Sequence, residues 1–219
     1  MRGFVRVGGH YVAEMDAVER QILAGAFADT ATLLGSPFDG GPAIQEGQAD
    51  GAGDGDLFAL LDWSAEPVEE PQDPALLRLL PSASADDAAL ASEFRRLTEA
   101  SLRREKVAHL RLVWRTLRRP PGPLAVARAD APAWAAALTD VRLVLADRLG
   151  IESDEDADRV HDEVAGGVDG REDDDDAEVR AALAALYSAL TWLQESLVQA
   201  MLVDVGTAGP DGPGGDLRH

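Results

Sequence analysis

The chain has 219 residues, no cysteine, 5% aromatics and a formal net charge of −20. That length suits one domain able to bury a sizeable core, and the absence of thiols excludes disulfides, thiolate nucleophiles and thiolate metal sites. The acidic balance opposes unaided binding to nucleic acid, and no run approaches the ~20 apolar residues that span a bilayer.

Taken in order, Phe4-Val5-Arg6-Val7, Gly8-Gly9 and His10-Tyr11-Val12-Ala13 predict a β-hairpin, since paired glycines suit the positive φ of a tight turn. A lone hairpin is marginal in water, so a helix or a further strand must cover it. The stretch Met1 to Asp16 lacks the apolar core of a signal peptide, and a cytoplasmic protein is expected. Asp16 followed by Glu19 has the capping-box pattern at the start of a helix from Ala17 to Leu34. Ile22, Ala26, Ala31 and Leu34 supply its apolar side, and Gly35 is the expected stop.

Residues 35–55, rich in glycine with Pro, Asp and Gln, predict a loop. Asp56 to Leu61 predicts a short helix and Glu66 to Pro71 a linker. Asp73-Pro74 places proline at a first helical position behind an acidic cap, giving a two-turn helix to Leu80 that Pro81 ends.

The longest uninterrupted helical stretch runs from Ser84 to Arg118, with Ser84 or Asp86 as cap and Pro120-Pro121 as stop. At about 100° per residue, Leu90, Phe94, Leu97, Ser101, Ala108 and Leu112 form one stripe. Val107, Leu110, Trp114 and Leu117 form another on the opposite side. A helix apolar on two sides is expected to lie sandwiched in a bundle. From Glu93 to Arg119 this helix carries nine Lys or Arg against three Glu, a local net of +6.

Gly122 to Ala127 is short and extended and would add a third strand to the hairpin. Asp130 is the expected cap of a helix from Ala131 to Leu149 that Gly150 closes, with Trp134, Leu138, Val141 and Leu145 at 4-3-4 spacing. Residues 152–178 carry 14 Asp or Glu against Arg159 and Arg171, a net of −12, and predict a solvated acidic loop. It is expected to screen the basic helix, competing with a partner for its cations. In the helix from Ala177 to Leu202, Val179, Leu183, Leu186, Leu190, Leu193 and Leu197 form a regular heptad seam. The seam suits a bundle core or a homodimer. From Gly206 onward a disordered tail is expected.

Candidate chemistry is sparse. His10, His109, His161 and His219 show no ligand spacing, and Asp173 to Asp176 lacks the alternation and central glycine of a calcium loop. No nucleophile elbow and no phosphate-cradling glycine loop is present. Neither catalytic activity nor a cofactor nor a metal is expected. Arg95, Arg96, Arg103 and Lys106 project away from the Phe94 and Leu97 stripe, whereas Arg104, Arg111 and Arg115 point elsewhere. The helix lacks the single basic face of a DNA-recognition helix. It is therefore read either as neutralised by neighbouring glutamates and the acidic segment or as a partner-binding surface.

Several motifs carry a resemblance: Asp73 to Pro81, Glu93 to Glu99, Leu102 with Lys106 to Ala108, Asp140 to Leu145 with Arg148 to Gly150, and Tyr187 with Trp192 to Val198. In that order they resemble the actinobacterial family of the oxidative-stress regulator AosR, first catalogued as DUF2017, over the whole chain. The resemblance implies a cytoplasmic, transcription-associated regulator that contacts a sigma factor or RNA polymerase and meets DNA only through them. It also implies genes neighbouring that of the Clp protease adaptor, which makes a role in regulated proteolysis the alternative. Arg142, Trp192 and Glu195, which lie in its motifs, join the four basic residues as candidate partner contacts. The family's thiol sensing does not carry over, because Phe4 to Gly9 stand where the paired cysteines are found. The expected architecture is a mainly helical bundle with a small N-terminal hairpin. One domain is expected over residues 1–205, with loops at 35–55 and 152–177 and a tail at 206–219.

Overall fold

The computed structural model describes residues 1–38, 71–82, 87–120, 122–166 and 175–207. Strands β1 (Arg2–Val7) and β2 (His10–Glu14) form the antiparallel hairpin, with Gly8 at φ 59° in its turn. Strand β3 (Leu124–Ala127) pairs antiparallel with β2, Tyr11 opposite Val126, in the order β1-β2-β3. Helices α1 (Ala17–Leu33), α2 (Pro74–Leu79), α3 (Ala88–Leu117), α4 (Ala131–Leu149), α5 (Asp154–Gly166) and α6 (Asp175–Thr207) complete the described residues. No helix among them is long and apolar enough to cross a membrane.

Helix α4 is the hub, packing against α6, α3, α2 and α1. Trp134 near its start is fully buried and meets the sheet through Phe4, edge to face at 5.7 Å and 80°. The inner sheet face, Phe4, Tyr11, Leu124 and Val126, joins Leu110 and Val113 of α3 and Leu190, Leu193 and Leu197 of α6 in one core. Each such side chain contributes about 1.5–3 kcal/mol by leaving water.

Local signals set most boundaries. Asp16 and Glu19 form the reciprocal capping box, Asp73 accepts from Ala75 N–H, and Gly150 closes α4 in the left-handed conformation at φ 71°. Several expectations are corrected. The α3 cap is Asp87, whose carboxylate accepts from Ala89 and Leu90 N–H; Ser84 and Asp86 lie outside the described residues. Asp130 makes no side-chain cap bond, because a 3-10 turn over Arg128–Asp130 already puts it in helical geometry. Ile22 faces solvent, because α1 is phased by Leu23, Phe27, Ala31 and Leu34.

The acidic segment contains helix α5. Ser153 and Asp156 cap each other's backbone N–H, three acidic residues occupy the first turn, and Val160 is buried against Ala184 of α6. Helix α6 begins at Asp175 and runs to Thr207, past the expected start of the tail. The short helix at 56–61, the linker at 66–70, residues 39–55 of the loop and the tail from 208 lie outside the described residues.

Candidate protein-interaction surface

Helix α3 has 30 residues and α1 has 17, so they span about 45 and 25 Å. They run in opposite directions. Arg20 near the start of α1 donates to the Gly122 carbonyl just past α3, and Arg103 in the middle of α3 donates to the Leu34 carbonyl at 3.4 Å. The N-terminal half of α3 therefore overhangs the end of α1. The Val107, Leu110 and Leu117 side is buried, as its spacing predicts. The opposite stripe is not sandwiched: Leu90, Phe94 and Leu97 are 57, 50 and 58% exposed.

That outer face continues with a regular period. Leu90, Phe94, Leu97, Ser101, Arg104, Ala108, Arg111 and Arg115 follow 4-3-4-3-4-3-4 spacing, and all are exposed except half-buried Arg111. The guanidinium of Arg111 stacks over Phe38 at 5.3 Å, and Phe38 leans on Trp114 at the same centroid distance. Neither Arg104 nor Arg115 forms an ion pair among the described residues. The face is thus apolar over its first half and basic over its second. The arginines on it are those the sequence reading set aside. The heptad interval from Leu90 onward was the signal for them, obscured because the apolar residues change to cations halfway.

The seven residues singled out from sequence do not converge. Arg95 and Arg103 turn inward from α3 to flank buried Glu99, at 3.6 and 2.8 Å. Arg96 forks onto Glu93 one turn earlier and holds its carboxyl below the ordinary range. Lys106 reaches into the α3–α4 interface and donates to buried Asp140 at 2.5 Å. Burial pushes the Asp140 carboxyl above its ordinary value, opposed by the Lys106 ammonium. On the far side of α4, Arg142 donates to Gln194 at 2.8 Å and lies over the Tyr187 ring at 5.3 Å, tying α4 to α6. Trp192 packs on Gly3 of β1 and is partly exposed, while Glu195 points to solvent.

The concavities are open. One of about 680 Å³ lies between the start of α1 and the end of α3, edged by Arg20, Arg118 and Arg119. Another of about 580 Å³, mostly apolar, runs between α1, α4 and α6. Among the described residues, no three His, Asp or Glu side chains gather as metal ligands would.

A family model described as "Domain of unknown function (DUF2017)" matches residues 1–201. No curated protein and no solved structure matches the chain.

Proposed function

The chain belongs to the DUF2017 family of domains of unknown function, and we propose that it is a cytoplasmic, non-catalytic regulator of transcription that acts by contacting a sigma factor or RNA polymerase. The observation that carries this is the outer face of α3. Large apolar side chains stand in water there, beside arginines, on a chain of net charge −20. Exposed apolar residues rimmed by charge are what a docking surface presents, and among the described residues nothing comparable favours a reaction centre. The resemblance to the AosR regulators supports a transcriptional partner and a role in the oxidative-stress response. With no cysteine in the chain, any oxidant signal must arrive through the partner or through another chemistry.

The test is affinity purification of the full chain from its native host, resting and after peroxide treatment, with identification of what is retained. Recovery of a sigma factor or polymerase subunits is the expected result. Recovery of Clp adaptor components alone would favour the proteolytic alternative, and recovery of no transcription component in either condition would refute the proposal.

A further inference from the structure

We propose that the outer face of α3 receives one antiparallel helix of a partner protein, a helix that is acidic in its N-terminal half and apolar in its C-terminal half. This rests on the reading of α3 as a docking surface and specifies the occupant. The outward positions keep the heptad interval over the whole stretch from Leu90 to Arg115, which is the spacing that seats a second helix alongside. Leu90, Phe94 and Leu97 need apolar counterparts, and Arg104, Arg111 and Arg115 need carboxylates. Within the stretch of α3 from Arg104 to Arg115, Glu105 is the one acidic residue, so the basic half stays net positive along the helix.

Orientation follows from the dipoles. An antiparallel partner places its N-terminus beside Arg115, so its carboxylates sit where its own macrodipole favours negative charge. Opposed helix axes also set unlike helix ends together.

Other occupants fit less well. Two copies of α3 in parallel would set Arg104, Arg111 and Arg115 against themselves. Antiparallel copies would set Arg115 against Leu90, with no carboxylate at any of the seam positions. A nucleic-acid backbone offers nothing apolar to the three anchors, and a net charge of −20 repels it.

The test uses purified full chain and synthetic helical peptides of about 25 residues, followed by fluorescence anisotropy. One peptide carries Glu at the seam positions of its N-terminal half and Leu in its C-terminal half. A second has Lys in place of Glu, and a third reverses the order of the halves. A DNA duplex serves as the nucleic-acid probe.

The Glu–Leu peptide is expected to bind at least about tenfold tighter than the Lys–Leu peptide at about 50 mM salt, and the gap should narrow at about 500 mM. Arg104→Glu/Arg111→Glu/Arg115→Glu should invert the preference between them. Leu90→Ser/Phe94→Ser/Leu97→Ser should abolish binding of both while leaving the melting temperature unchanged, since these side chains are exposed.

Equal binding of the Glu and Lys peptides, or tighter binding of the reversed peptide, would overturn the proposal. So would duplex binding that needs only the arginines, or a dimer of the full chain that the serine variant dissolves. Because no host component enters, failure here would leave the transcriptional assignment standing. Failure of the host purification would equally leave the peptide result intact.

Discussion

Single atoms decide two features of this molecule. A Cβ built on Gly3 falls 2.7 Å from Ser196 Cβ and 3.2 Å from Trp192 Cζ2. Strand β1 therefore lies against α6 only because Gly3 has no side chain. At that contact the Phe4 N–H donates to Ser196 Oγ at 2.9 Å, satisfying a backbone donor on the sheet edge. Gly3→Val should force β1 off α6 and cost about 1–3 kcal/mol, read as a lower midpoint in chemical denaturation; an unchanged midpoint would mean that the strand docks elsewhere. The second feature is the Lys106–Asp140 pair. Lys106→Met removes the cation that, among the described residues, donates to the buried Asp140 carboxylate, and should cost about 3 kcal/mol at neutral pH. The sign of the pH dependence is fixed by burial. Asp140 already has its folded value raised above 3.8, so the folded state favours the protonated acid. Its contribution is fully present below the ordinary value and is lost as pH rises through the raised one. The deficit of the Met variant should accordingly shrink as pH falls toward the carboxylate range. A deficit independent of pH would show that Asp140 is not the group left unpaired.

At the scale of elements, α6 shows how far a heptad seam can be trusted. Leu190, Leu193 and Leu197 are buried, Leu183 and Leu186 are half-buried, and Val179 is 59% exposed. The spacing is the same along the seam while the burial is graded, because the main core lies under the stretch from Leu190 to Ala200, and nearer the start Ala184 turns instead to the smaller cluster around Val160. Leu190→Asp should cost several kcal/mol by burying an unpaired carboxylate, and Val179→Asp should stay within about 0.5 kcal/mol. Equal losses in urea denaturation would show that the seam is uniformly packed. The hairpin, the capping box at Asp16, the Asp73-Pro74 start and the glycine stop at Gly150 were legible in the sequence, because each is settled within a few residues. Helix α5 was missed although its Ser153–Asp156 cap and Val160 were equally local. The density of charge around them suggested a solvated loop, and one buried valine was enough to dock a helix. The cap at Asp130 failed for a different reason: the preceding turn, set by the tertiary path of β3, had already made that residue helical.

Over the whole molecule, the exposure of α3 was not legible, because both of its stripes are apolar and periodicity alone cannot say which one meets the core. Beyond the end of the shorter α1, the inward side of α3 stays covered at Ala91 and Glu99, while outward Leu90, Phe94 and Leu97 are left in water. The pairing of the cations with neighbouring glutamates was one of the two readings open in the sequence, but the individual partners were not legible, for a related reason. Lys106 and Arg103 look like surface charges along the chain, yet Lys106 is held by a partner on α4 and Arg103 by Glu99 on its own helix and by the α1 terminus. Arg104 and Arg115 remain outward. The charge pattern that results is an acidic molecule with one basic and apolar helix face. The most direct test places a photo-crosslinking amino acid at position 97 of the chain in its native host, and in a second strain at position 22. Leu97 and Ile22 are matched at 58 and 55% exposure, on α3 and α1 respectively. The expected result is a single crosslinked adduct with a sigma factor or polymerase subunit from position 97, absent from position 22 and lost when Arg104, Arg111 and Arg115 are changed to Glu. The same adduct from both positions, or from position 22 alone, would contradict the assignment of the α3 face.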